Sequence, residues 1–234
     1  VTMYSVEGLS ISRKGRPIFR DTSCTVRPGE VLGLVAPNGM GKTTLLRFLA
    51  GAWALGSAST VTLGEDRVKD PKSLGRHVFY VSGDRSPLYP GLSPRQHLQI
   101  VGRIWGAPVD VGGWIERCGM GGYADVPVRR LSRGMAQQAL LAVAFAAGPR
   151  YLLFDEPFNG LDPSAVRRNE EIVRELVERG AGALVSSHLL PQLGRLADRL
   201  AYIDEGTIRI DGRVETPAGA EELYRRVYGE VRAG

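Results

Sequence analysis

The chain has 234 residues, 43% of them apolar and 24% charged, with a net charge of +5. That is the composition of an ordinary soluble globular protein, with room for one large domain or two small ones. The longest purely apolar stretch, Ala139–Ala147, is too short to span a bilayer, and no apolar N-terminal segment reads as a signal peptide. A membrane is therefore expected to be reached only through a partner. Four of the 30 basic residues are lysines (Lys14, Lys42, Lys69, Lys72), and the arginines are scattered, so no nucleic-acid surface is expected. Cys24 and Cys118 have neither metal nor redox spacing and read as reduced thiols.

From Met3 to about Val26, short β-like runs alternate with Gly/Arg turns and predict a small antiparallel layer. After the turn Pro28-Gly29, Glu30–Val35 is nearly all apolar, as in a strand buried on both faces. A Gly-rich loop and a helix from Lys42 to about Ala50 follow, closed by Gly51. Residues 56–64 read as a strand and turn, and His77–Ser82 as another strand. Ser93-Pro94 starts a helix running to about Trp105, with Gly106 as its stop. A second short helix is expected over Val111–Cys118. Ser132 opens an Ala-rich helix that ends before Gly148-Pro149, so about 85–148 reads as a helical subdomain inserted in an α/β core. Tyr151–Phe154 is a buried strand. Asp162-Pro163 starts a helix ending at Gly180, Ala183–Ser186 is a strand and Leu189–Ala197 a short helix. Two strands, Leu200–Ile203 and Thr207–Ile210, flank the turn Asp204-Glu205-Gly206, and a last helix covers Pro217–Tyr228. Strands alternating with helices predict an α/β fold with parallel strands at its centre.

Ala36-Pro37-Asn38-Gly39-Met40-Gly41-Lys42-Thr43-Thr44 fits the phosphate-loop pattern G-x-x-x-x-G-K-[ST], with alanine in place of the first glycine. Gly39 and Gly41 let backbone amides approach phosphate oxygens, and the helix start adds positive potential. In this pattern Lys42 reaches the β/γ-phosphates, Thr43 ligates Mg²⁺ and Thr44 contacts an α-phosphate oxygen. A Gly/Pro turn before a helix is the bland reading, disfavoured by the apolar strand before the loop and the Lys-Thr-Thr start after it.

Asp155 ends a buried strand, where it can hold Mg²⁺ through water, and Glu156 is placed to orient and deprotonate an attacking water. His188 follows the strand that should end beside the γ-phosphate; its imidazole can donate to that phosphate and keep Glu156 aligned. Asp162 is a helix cap, with a weaker second role across a dimer interface. Between loop and acids lies Leu131-Ser132-Arg133-Gly134-Met135, a Ser/Gly motif opening a helix.

With these residues the chain resembles the nucleotide-binding subunit of an ATP-binding-cassette (ABC) transporter over about Met3–Gly212. Phosphate loop, Q-loop region, LSRGM, Asp-Glu pair, D-loop and switch histidine occur in the family's order. The resemblance implies an ABC-type P-loop ATPase: a RecA-like core with a mainly parallel central sheet, an antiparallel β layer and the helical subdomain. It implies ATP and Mg²⁺, a second copy whose ATP is contacted by Ser132, Arg133, Gly134, Met135 and Asp162, and a separate permease. It also implies a cytoplasmic, peripheral place on the inner face of the membrane. Leu88, Tyr89 and Leu92 are candidates for apolar contact with the permease. A non-transport ABC ATPase and a nucleotide-binding regulatory module without turnover stand as alternatives.

Three positions depart from the family pattern. Arg133 and Met135 replace the second Gly and the Gln of L-S-G-G-Q; L-S-x-G-M variants resemble single-domain export ATPases of the ABC-2 type. The Q-loop glutamine is replaced by Asp84, or by Gly83 after a one-residue shift. A carboxylate about 6 Å from a phosphate charge repels it by ~3 kcal/mol at an effective dielectric near 20, so Asp84 is expected to face the metal. The adenine-stacking aromatic is missing, and Arg13 is the best-aligned residue. Nucleotide binding should survive the alanine at position 36, because a methyl group there costs little at negative φ. Equilibrium titration with ATP and GTP checks this, and undetectable ATP binding restored by Ala36→Gly would refute it.

Overall fold

The computed structural model describes residues 3–52, 59–83, 87–106 and 108–229. Strands β1 (Tyr4–Arg13) and β2 (Arg16–Val26) form an antiparallel hairpin. With β4 (Thr60–Leu63) and β5 (Asp66–Arg67) they make a four-stranded antiparallel sheet of order β2-β1-β4-β5. The second sheet has six strands. They are β3 (Val31–Val35), β6 (Val78–Ser82), β7 (Tyr151–Asp155), β8 (Gly182–Ser186), β9 (Arg199–Asp204) and β10 (Thr207–Arg213), in the order β10-β9-β3-β8-β7-β6. All its pairings are parallel except β10 with β9.

Period-two alternation sends successive side chains of this sheet to opposite faces, and apolar layers cover both. Leu32, Leu34, Leu153 and Leu184 face a core shared with the antiparallel sheet and with helix α1 (Lys42–Leu49), which contributes Leu45, Leu46, Phe48 and Leu49. Val31, Val35, Leu152, Phe154 and Val185 face the opposite core. There they meet the apolar side of α4 (Arg133–Ala146), with α2 (Pro94–Trp105) and α3 (Val111–Arg117) beyond it. Helices α5 (Pro163–Glu178), α6 (Leu190–Leu196) and α7 (Gly219–Tyr228) complete that side. The α4 stretch Ala139–Phe145 is buried throughout because sheet and helices enclose it on all sides.

Local signals set the helix ends. Ser93 and Gln96 make a reciprocal capping box at α2, which stops at Gly106 in left-handed conformation. Asp110, Ser132 and Asp162 each accept an amide hydrogen bond at the starts of α3, α4 and α5. The last helix begins at Gly219, two residues later than its Pro217 signal. Two short 3₁₀ helices, Pro71–Arg76 and Val128–Arg130, and the two-residue β5 are too short to give a sustained periodic signal. Of residues 56–64, the described part is strand over Thr60–Leu63. Both cysteines are buried and unpaired, and burial pushes the Cys24 thiol up to about 12 and that of Cys118 to about 11.

Phe154 is fully buried on β7 and meets Phe145 of α4 edge-on at 6.3 Å. Phe154→Ala should therefore lower unfolding free energy by about 3–5 kcal/mol. Urea denaturation checks this, and a loss below about 1 kcal/mol would show that the sheet–α4 contact is not close-packed.

Candidate active site

The C-terminal ends of β3, β7 and β8 lie along one edge of the parallel sheet, where ligands bind in open α/β folds. The loop from Ala36 leaves β3 and enters α1 through Gly39 and Gly41, both at positive φ. Ala36 is not among the described residues with positive φ, so its methyl group carries no backbone strain. Gly41 caps α1 without a side chain, leaving the first amides of the helix for a ligand. Lys42 is 7% exposed and donates to the carbonyls of Ala36 (2.6 Å) and Pro37 (3.2 Å). Burial lowers its pKa, and the charges of Glu156 and Asp155 oppose that shift.

Register places Asp155 beside Ser186 and Ser82. Its carboxylate is buried and held by two neutral hydroxyls, Ser186 Oγ at 2.8 Å and Tyr80 OH at 3.3 Å. Glu156 then turns off the strand with φ 53°. A left-handed backbone at a non-glycine costs on the order of 1–3 kcal/mol and persists only where its surroundings dictate it. Its amide donates to Ser186 O at 3.0 Å. Its Oε2 accepts from the His188 amide at 3.1 Å and lies 2.7 Å from His188 Nδ1. The two acids and the histidine thus converge through neighbouring strand ends.

Arg13, Asn38–Thr44, Asp155 and Glu156 line one cleft of about 660 Å³. The start of β2 also contributes Arg16, Pro17 and Ile18, and the β9–β10 turn contributes Glu205 and Gly206. These five carry no chemical motif; the Arg20 amide bond to Gly206 O brings β2 and the β9–β10 turn together. Tyr80 is a further residue without a sequence signal. Asp84 lies outside the described residues, so its place relative to a metal is not described. Gly83 is described: its amide donates to Asp155 O at 2.7 Å, and an added Cβ would lie 2.1 Å from Glu156 O. A side chain at position 83 would displace the backbone of Glu156.

Ser132, Gly134, Met135 and Asp162 line a different pocket, about 270 Å³, with Gly160 and Arg168. Ser132 Oγ accepts from the Met135 amide at 3.2 Å, and Asp162 Oδ1 from Ser164 and Ala165. Those amide bonds, that from Ala165 foremost, hold the Asp162 carboxyl below its ordinary value. Arg133 does not line this pocket: its Nη2 donates to Gly83 O of the same chain at 3.0 Å. Gly134 is needed for close approach within the chain, since a Cβ there would lie 2.4 Å from Gly160 O. The two pockets share no residue. Leu88 is buried, so it cannot offer the free apolar contact expected of it, whereas Tyr89 is 68% exposed and stacked on His97. Leu92 is half-buried. Among the described residues no helix is long and apolar enough to cross a membrane, and no cluster of three or more His, Cys, Asp or Glu forms a metal site.

A family model described as ABC transporter matches residues 19–159. The chain is 29% identical to the lantibiotic transport ATP-binding protein SrtF of Streptococcus pyogenes over 95% of its own length and 96% of that protein. It is 31% identical to the ABC transporter ATP-binding protein NatA of Bacillus subtilis, over 84% of this chain and 82% of that one. The Nod factor export ATP-binding protein I of Ralstonia nicotianae is 34% identical over 87% of this chain and 65% of that protein. A solved ATP-binding subunit of an ABC transporter shares the fold, with a TM-score of 0.83, 24% identity and coverage of 100% of this chain and 96% of that one. Family model, relatives and fold agree: the chain belongs to the ABC transporter family, as an ATP-binding subunit that hydrolyses ATP to power transport.

Proposed function

We propose that this subunit works as one half of a homodimer that closes on two ATP molecules and drives an exporter through a separate membrane permease. The observation that carries this is the separation of the two pockets: within one chain the signature residues Ser132, Gly134 and Met135 and the phosphate loop share no cleft. A signature that touches ATP must then touch the ATP of a second copy. A Ser-capped helix start with a small glycine suits a γ-phosphate. The whole chain acts as one ATPase domain, with about 85–148 as its helical subdomain. Export is supported by the names of two relatives, a lantibiotic transport and a Nod factor export subunit, and by the L-S-x-G-M form of the signature. These relatives favour transport over cluster assembly or a silent regulatory role. Docking on a permease places the chain on the cytoplasmic face of the membrane.

In this reading the loop amides and Lys42 hold the β- and γ-phosphates, whose anionic charge adds to that of Glu156 and Asp155 in offsetting the burial of the ammonium. Glu156 accepts the proton of the water as its oxygen bonds to the γ-phosphorus and the bond to the β-phosphate oxygen breaks. Nδ1 of His188 lies on the Glu156 carboxylate, and as an imidazolium the same ring can also donate from Nε2 to a phosphate oxygen. Arg13, at the rim of the cleft, is placed to stack on the base. Mg²⁺ fits the oxygens present: the Asp155 carboxylate accepts from the Ser186 and Tyr80 hydroxyls, and the Thr43 hydroxyl lines the same cleft. Once bound, the ion would neutralise charge on the β/γ oxygens.

Glu156→Gln should abolish steady-state hydrolysis and let ATP-dependent dimers accumulate, read by phosphate release and size-exclusion chromatography; retained hydrolysis refutes the assignment of Glu156. Sharing of sites is checked by mixing inactive Lys42→Ala and Ser132→Arg copies. The mixed dimer has one site with an intact loop and an intact opposing signature, so activity should return on mixing. If the mixture stays inactive while mixed dimers form, the shared site is refuted.

A further inference from the structure

We propose that Gln137 and Arg133 are positioning residues for Glu156, clamping the first turns of α4 onto the backbone on either side of it. This rests on the reading of Glu156 as the base. The two side chains stand four residues apart on one face of the helix. Gln137 is 4% exposed, and its Nε2 donates to Pro157 O at 2.7 Å. Arg133 Nη2 donates to Gly83 O at 3.0 Å. Pro157 is the next residue after Glu156, and Gly83 donates its amide to Asp155 O, just before Glu156, and leaves no room for a side chain against the Glu156 carbonyl.

Glu156 occupies a left-handed backbone conformation that an unsupported glutamate leaves readily. One support comes from the sheet, where its amide bonds Ser186 O. That bond fixes the residue's N-terminal side. Its C-terminal side depends on where Pro157 sits, and a buried amide of α4 holds that position. Because the same helix opens with the signature, a shift of α4 moves both carbonyl bonds. The clamp therefore ties Glu156 to the helix that meets the partner's ATP, giving Arg133 a role within its own chain.

Gln137→Met keeps the side-chain volume and removes the donor. It should lower kcat about tenfold or more, as expected when a catalytic group is misplaced by a fraction of an ångström. Apparent KM for ATP should stay within about twofold, because the phosphate loop is untouched. In a Glu156→Gln background, single-turnover rates should be the same with and without Gln137→Met, since a residue acting through Glu156 has nothing left to position. Unchanged kcat, a raised KM with kcat retained, or the same fold-loss in both backgrounds would overturn the proposal. If Gln137→Met does not fold by circular dichroism, Arg133→Met carries the same expectation, with Arg133→Lys restoring kcat by keeping a donor for Gly83 O. Full hydrolysis in Glu156→Gln alone would instead remove the reading on which this rests.

Discussion

Two parallel strands end side by side with Asp155 opposite Ser186, and a 2.8 Å hydrogen bond from the serine hydroxyl to the carboxylate closes that end of the sheet. Almost every feature of the active site is hung from this pairing. Ser186 O takes the Glu156 amide, Asp155 O takes the Gly83 amide, and His188 begins two residues past Ser186. A carboxylate this buried is stable only with its oxygens hydrogen-bonded, and Ser186 and Tyr80 meet that need without neutralising its charge. The charge acts into the cleft, where the Lys42 ammonium already feels it, because the hydrogen bonds that hold the carboxylate come from hydroxyls.

Rigidity comes from the sheet, buried on both faces by two separate apolar cores. Strand ends packed on both faces give the side chains they carry a fixed frame, which is what a hydrolytic site requires. Helix α4 carries the same order outward. Its apolar middle packs on β7 through Phe145 and Phe154, and a reciprocal amide pair, Gln138 with Asn169, joins it to α5. Its first turn meets the loop after β7 at Gly160 and Pro157. The first turns of α4, where the signature lies, are therefore an extension of the packing around β7.

Much of this could be read along the chain because its chemistry is local. A phosphate loop needs glycines, a lysine and a threonine at fixed spacing; a helix start needs a cap; a strand buried on both faces needs a short unbroken apolar run. Such rules involve residues within about five positions of one another, so Ser93, Ser132 and Asp162 could each be placed as caps before any tertiary contact was known. Elements too short to repeat a period, such as β5 and the two 3₁₀ turns, leave no such trace.

By itself the sequence determined the order of the main strands and helices, the parallel core, and the motifs of the loop, the acid pair, the histidine and the signature as candidates, since each is a short-range pattern of residue types. Only the tertiary structure decided which distant residues meet at the site: Tyr80 and His188 on the side chains of Asp155 and Glu156, and the turn at Glu205-Gly206 in the lining of the cleft. It also decided that Arg133 turns to Gly83, that Leu88 is buried, and that the signature pocket stands apart from the phosphate loop. Those outcomes depend on strand order and on which helix face meets which carbonyl, and both are settled by packing between segments far apart along the chain.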